Sequence, residues 1–448
     1  MKNENNKIEV YKTDKTIKLT EKEEKEYEKI RKELIAQKVN DESISLKEQE
    51  IKQFIQNKVK NTENIYNRLN NDLKGYGKIN PLIKDDNLEE IMIIGSDKPV
   101  YVYHRNKGMM ITEITLSEIE IKQIIDKISN FVQRKIDNQT PILDARLSDG
   151  SRVNATLPPI SADGPTVTIR KFRKDPLTIF DLIKSNTISA HLAAFLWIAI
   201  DGLNVRPSNI IIAGGTGSGK TTTLNTLTSF IPERERIITI EDTLELQIPQ
   251  KHIIRTETRP PNIENKGEIN MDSLLKNSLR QRPDRIIVGE VRSKEAMTLF
   301  TALNTGHSGM GTLHANTSQE TITRLQNPPM NVPTIMLNSI DFIIMQNRIY
   351  NPQIGTIRRI SEVAEVVGIE NNNIQINKIY EYDYNTDTIN YIAISSNAMN
   401  KIASMKGLTN KDILEEVELR KKYLLENSIY EHRNVYETKK IINNYSSL

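Results

Sequence analysis

Gly214, Gly215, Thr216, Gly217, Ser218, Gly219, Lys220 and Thr221 follow the apolar run Asn209–Ala213. Their spacing is that of a P-loop. The glycines let successive backbone N–H groups turn inward around an anion, and Lys220 can reach β- and γ-phosphate oxygens. Thr221 offers a hydroxyl to Mg²⁺. The helix expected to start here and run through Thr222 points the positive end of its dipole at the same phosphates. A glycine-rich strand-to-helix turn with no ligand is the plain alternative. Strand, complete motif and helix in register favour a bound nucleoside triphosphate such as ATP.

Hydrolysis requires more: acidic groups facing the terminal phosphate. Two apolar segments run straight into carboxylates. Ile237–Ile240 leads to Asp242 and Glu245, and Arg285–Val288 leads through Gly289 to Glu290, a Walker B-type ending with Glu in place of Asp. Ligands of open α/β sheets lie outside the carboxyl ends of the strands, where these residues fall. Glu290 is expected in the Mg²⁺ shell through water, Glu245 as the group that polarises the attacking water, and Asp242 as its orienter. Helix capping is the ordinary alternative for Asp242.

His307 and His314, two of six histidines, stand seven residues apart. No third ligand follows at useful spacing, which disfavours zinc. A hydrogen bond to the terminal phosphate suits them better, with a structural role in the core as the alternative. Arginines cluster at Arg280, Arg282 and Arg285, with Arg255, Arg259 and Arg292 nearby and Arg152 and Arg170 earlier in the chain. Solvation is the default for any one of them, yet charge developing on a γ-phosphate calls for guanidinium groups. Arg152 and Arg170 fall on expected strands of a preceding domain, which would then close over the nucleotide.

These residues need a scaffold, and the hydrophobic pattern supplies one. Residues 1–74 are highly charged, with Ile30, Leu34, Ile51 and Ile55 at helical spacing, and read as a helical extension. Residues 75–175 read as an α+β domain. Strands are expected at Ile91–Ile94, Val100–Tyr103, Ala145–Leu147, Arg152–Leu157 and Thr166–Lys171, with an amphipathic helix over Ser117–Arg134. Lys174, Asp175 and Pro176 mark a boundary.

Over residues 176–385, apolar strands at Ile210–Ala213, Arg236–Ile240, Arg285–Val288, Gly311–His314 and Phe342–Met345 alternate with helical segments. That pattern implies a parallel sheet covered on both faces, an α/β fold. Two β-like stretches follow, Ser361–Gly368 and Ile374–Asp383, and residues 386–448 read as a helical extension.

The chain has 448 residues, 61 basic against 58 acidic, for a net charge of +3. Near-balance argues against a protein built to neutralise nucleic acid, and the one tryptophan and 5% aromatics leave little for base stacking. With no cysteine there is no disulfide, thiolate or Cys-ligated metal. The apolar run Leu192–Ile200 falls well short of the about 20 residues that span a bilayer, so any membrane role is expected to be peripheral.

Together these boxes resemble the secretion superfamily of ATPases, the motors of type II and type IV secretion, type IV pili and archaella. Gly214–Thr221 stands as Walker A, Ile240–Glu245 as the Asp box, Arg285–Arg292 as Walker B, and Thr305–His307 with His314 as the His box. The segments Leu279–Arg285 and Glu257–Asn262 are similar to the CpaF-like, Tad-type branch, and Asp341–Met345 with Arg358–Val363 to its archaeal members.

The resemblance implies a RecA-like P-loop domain behind an α+β domain, and a homo-hexameric ring with nucleotide sites between the two. It implies ATP and Mg²⁺, with Lys220, Thr221, Glu245, Glu290, His307 and His314 in catalytic roles and Arg152 and Arg170 as γ-phosphate contacts. The partner implied is a polytopic membrane platform protein, reached from the cytoplasmic side, and no nucleic acid. A tetracysteine zinc module, common in type II motors, is ruled out by the lack of cysteine. The expected function is an ATP-driven motor for pilus assembly or protein export. A nucleic-acid motor of RecA type is the alternative, and a non-hydrolysing nucleotide switch a more distant one.

Overall fold

In a computed structural model of the chain, residues 8–12, 20–39, 62–173, 175–261, 266–351, 355–429 and 434–445 are described. Ile51, Ile55, Lys174 and Asn262 lie outside them. The chain divides into two units, Met1–Arg173 and Lys174–Leu448.

In the first unit, helices α1 (Glu21–Val39) and α2 (Thr62–Lys74) precede most of a seven-stranded sheet. Its strands are β1 (Val10–Tyr11), β2 (Leu88–Ile93), β3 (Pro99–His104), β4 (Gly108–Thr115), β5 (Ile142–Arg146), β6 (Arg152–Thr156) and β7 (Thr166–Arg170). They lie in the order β1-β4-β3-β2-β7-β6-β5. Helix α3 (Glu118–Val132) starts at a capping box: the Ser117 hydroxyl accepts the Glu120 N–H, and the Glu120 carboxylate accepts the Ser117 N–H. Ile121, Ile124, Ile125 and Ile128 repeat at helical spacing and bury against Ile91, Val102, Val153 and Ile169 of the sheet. Ile30 is buried as its spacing suggests.

The second unit is built on strands β8 (Ile210–Ala213), β9 (Ile237–Glu241), β10 (Ile253–Glu257), β11 (Arg285–Val288), β12 (Ser308–Leu313), β13 (Phe342–Asn351), β14 (Gly355–Glu370), β15 (Asn373–Asp383) and β16 (Thr388–Tyr391). Their order is β10-β9-β11-β12-β8-β13-β14-β15-β16, parallel as far as β13 and antiparallel beyond. One strand, β12, separates the P-loop strand β8 from the Walker B strand β11. This is the α/β, RecA-like sheet expected from the sequence.

Period-two alternation gives each face its own core. Ile210, Ile212, Ile237 and Ile287 point to the side of α4 (Ala190–Asp201) and α5 (Lys220–Leu227). Ile211, Ala213, Ile238, Ile240 and Val288 point to the side of α6 (Met271–Ser278), α7 (Glu295–Asn304) and α8 (Ser318–Gln326). The C-terminal helices α9 (Asn397–Lys406), α10 (Asn410–Ser428) and α11 (Val435–Asn443) join the first of these cores through Ile402, Ile413, Val417, Leu424 and Ile442.

Arg420 on α10 is buried there. It donates to Asp201 at 2.6 Å and to Glu416 at 2.8 Å, with its guanidinium 4.7 Å from the Trp197 ring centroid. Strands β13 and β14 run farther than expected. They form a long hairpin past the end of the parallel sheet, because Gln346–Asn351 pairs with Gly355–Ile360.

Candidate functional site

The β8 strand delivers the chain to Gly214, where the backbone passes so close to β13 that a Cβ would lie 2.1 Å from the Gln346 carbonyl oxygen. Only glycine fits there. Gly217 and Gly219 then take φ of +70° and +97°, in the left-handed region that favours glycine, and turn the loop into α5. Lys220 is the first residue of α5, followed by Thr221 and Thr222. Its ammonium donates to the carbonyls of Gly214 at 2.9 Å and Gly215 at 2.8 Å, so the loop holds the cation over itself. Burial lowers its pKa, Glu290 raises it in part, and Arg292 lowers it further.

Glu290 follows β11 and meets two partners. It lies 2.5 Å from Arg292 and 3.1 Å from His314 Nε2. Burial alone would raise its pKa, but the hydrogen bond and charge of Arg292, with His314 and Lys220, hold it below the usual carboxylate value. His314 is itself pushed down by burial and by the positive charges of Lys220 and Arg292, against Glu290. At neutral pH the pair is therefore a carboxylate beside a neutral imidazole. Arg292 also reaches the exposed Asp242 at 3.4 Å, and Glu245 acts on it through charge. Lys220, Glu290, Arg292, His314, Asp242 and Glu245 thus gather at the carboxyl edge of the sheet.

Glu241, the last residue of β9, shapes the loop that carries Asp242 and Glu245. It is 2% exposed, and its Oε2 accepts the N–H groups of Glu245 at 2.7 Å and Leu246 at 2.9 Å. Burial raises its pKa, and those two backbone donors pull it back. Asn225 Oδ1 accepts the Gln247 N–H at 2.7 Å, and Arg255 donates to the Leu246 carbonyl at 2.7 Å. The loop is held at three successive residues, Glu245, Leu246 and Gln247. Sequence reasoning passed over Glu241; an acid ending a largely apolar strand was the available signal.

His307 does not join this cluster. It precedes β12 while His314 follows it, and the six residues of that strand separate the two by roughly 20 Å. Its Nδ1 sits 3.3 Å from the Ala302 carbonyl, at the opposite edge of the sheet from the P-loop. Within one chain His314 is therefore the histidine placed beside Glu290. Arg285 likewise belongs to the core: it is fully buried, ion-paired to Glu235, and bonded to the Ile200 carbonyl.

Arg152 and Arg170 lie in the first unit as direct cross-strand partners on β6 and β7, and Glu90 on β2 faces Arg170 on its other side.

Among the described residues, no group of three or more His, Asp or Glu side chains could hold a metal ion unaided. Mg²⁺ in P-loop sites needs less, because it binds through one or two carboxylates or hydroxyls and the phosphates themselves. Thr221 and Glu290 fit that requirement. The 1% exposed Ser218 has a buried hydroxyl with no partner among the described residues, which also fits a loop shaped for an anion.

Comparison with known proteins identifies the family. Residues 72–402 match the family described as Type II/IV secretion system protein. An uncharacterized protein of Methanocaldococcus jannaschii is 55% identical over 230 residues, covering 51% of this chain and 32% of the relative, so the match spans about a third of that protein's length. A second uncharacterized protein of the same organism is 34% identical over 407 residues, covering 88% of this chain and 72% of the relative. Among solved structures, the VirB11 ATPase of the Brucella suis type IV secretion system aligns at 24% identity and a TM-score of 0.32, covering 67% of this chain and 94% of that one. With P-loop, acidic strand ends and family match in agreement, the chain belongs to the type II/IV secretion system protein family.

Proposed function

We propose that this chain is an ATP hydrolase that drives pilus assembly or protein secretion as a homo-hexameric motor. The observation that carries the reading is the convergence of Lys220, Glu290, His314, Arg292 and the Asp242–Glu245 loop on one edge of the sheet.

Lys220 exchanges the carbonyls of Gly214 and Gly215 for β- and γ-phosphate oxygens, while the amides from Gly217 to Thr222 wrap the phosphates. Thr221 and Glu290 would hold Mg²⁺, which when bound neutralises charge on the β- and γ-oxygens. Glu245 takes the proton of the attacking water as its oxygen bonds to the γ-phosphorus. The bond from that phosphorus to the bridging oxygen breaks, and its electron pair leaves on ADP. His314, neutral and 3.1 Å from Glu290, donates or accepts a hydrogen bond without adding charge.

Among the described residues no helix is long and apolar enough to cross a membrane, which is consistent with a motor that acts on a membrane platform protein from the cytoplasmic side. The family match supports the secretion role. Phosphate release from ATP by the full chain tests the reading: Lys220→Ala should abolish turnover, and turnover equal to wild type would refute it.

A further inference from the structure

The hairpin of β13 and β14 rises beside the P-loop and places two arginines directly opposite one another, Arg348 on β13 and Arg358 on β14. Like charges opposed across a strand pair repel unless an anion lies between or above them. Among the described residues, neither guanidinium has a carboxylate partner.

Both instead touch the P-loop. Arg358 Nε donates to the Gly217 carbonyl at 3.0 Å. The Arg348 guanidinium is so close to Gly217 that a Cβ there would lie 3.4 Å from one of its nitrogens. A cavity of about 420 Å³ opens between hairpin and loop, lined by Gly215, Thr216, Ser218, Asn316, Arg348 and Tyr350. The hydroxyl of Ser218, buried and without a partner, borders the same space. Asn316, which follows β12 two residues after His314, lines the cavity on the other side of the loop from the hairpin's own residues.

A polar cavity of this size, lined by the Arg348 guanidinium and an unsatisfied hydroxyl, with Arg358 bonded to the loop beside it, fits a phosphate. We propose that Arg348 contacts the terminal phosphate of the bound nucleoside triphosphate from within its own chain, with Arg358 as the positioning residue that ties the hairpin to the Gly217 carbonyl. The assignment rests on the P-loop being the nucleotide site. It adds a cation to that site distinct from Lys220. The hairpin then reads whether the terminal phosphate is present, because that phosphate relieves the repulsion between its two strands.

The test is titration of the full chain with AMP-PNP, with ADP, and with ADP plus inorganic phosphate, each with Mg²⁺. Arg348→Gln should weaken AMP-PNP binding by about tenfold or more, the loss of a charge-assisted hydrogen bond, and leave ADP within about twofold. If inorganic phosphate alone fills the cavity, adding it should tighten ADP binding to wild type and not to Arg348→Gln. Arg348→Lys should recover part of the preference for AMP-PNP. Arg358→Gln should weaken both nucleotides alike. Equal loss of AMP-PNP and ADP in Arg348→Gln, or no loss of either while Lys220→Ala loses both, would overturn the assignment and leave the P-loop reading standing. Failure of the wild-type chain to bind any nucleotide would remove both.

Discussion

Glu241 accepts the backbone N–H of Glu245 at 2.7 Å, so a buried acid at the end of β9 fixes where the next acid but one in the loop can point. In Glu241→Ala, the N–H groups of Glu245 and Leu246 lose their acceptor, at a cost of about 1–3 kcal/mol. If that misplaces Glu245 in the transition state, kcat should fall about 10- to 100-fold with KM little changed. Glu241→Gln keeps an acceptor and should lose less. Steady-state kinetics of the two variants check this, and an unchanged kcat in Glu241→Ala would show that the loop holds without it.

His314 makes a prediction about acid stability. Its pKa in the folded chain lies below the ordinary 6.5. Between those values the unfolded chain binds a proton that the folded chain does not, so stability rises with pH through that window and is complete above about 6.5. The depressed Glu290 acts in the same direction at lower pH, its share being present above the ordinary 4.5 and lost as pH falls through the folded value. Thermal unfolding should therefore show a Tm that drops on acidification from about pH 7 to about pH 5. The drop should be smaller in His314→Asn. The half-buried His191, lowered by burial, contributes a share that this substitution leaves in place.

Arg420 ties α10 to Asp201 on α4 while lying over the chain's only tryptophan. Arg420→Ala leaves Asp201 buried and uncompensated, a loss of about 3–5 kcal/mol. Trp197 also stacks on Phe230 at 5.2 Å and meets Tyr445 at 5.1 Å, so its emission reports this packing alone. Denaturant titration followed by tryptophan fluorescence should show a lower midpoint for Arg420→Ala. Removal of residues 435–448 should shift the native emission to the red.

How far the sequence discloses this site depends on whether a residue's role is local. The P-loop is a local backbone shape, so its eight residues and α5 were legible directly. Glu290 was legible because the apolar run Ile286–Val288 of β11 ends two residues before it. Strand β4 was missed: Met109 and Ile111 put apolar side chains on the face opposite Met110 and Ile114, which blurs the alternation. Strand β10 carries polar residues at three of five positions and lies at the sheet edge, so it lacked the apolar signature of its neighbours. His307 and His314 flank opposite ends of β12, a separation that their nearness in sequence does not display. The facing of Arg348 and Arg358 comes from hairpin register alone, which a single sequence does not display.

Gly214 gives a sharp test of the loop's packing. A methyl group there would meet the Gln346 carbonyl at 2.1 Å, and neither backbone segment can yield without moving β8 or β13. Gly214→Ala should cost about 1–3 kcal/mol of stability and displace the P-loop. Nucleotide affinity should fall with it, which titration with ADP will show.

The most direct measurement is ATP turnover by Glu245→Gln, compared with its equilibrium binding of ATP. The amide cannot take the proton of the attacking water, while the P-loop, Lys220 and Glu290 are untouched. ATP should bind with near wild-type affinity, and single-turnover hydrolysis should slow by about 100-fold or more. Hydrolysis at the wild-type rate would contradict a catalytic carboxylate at Glu245.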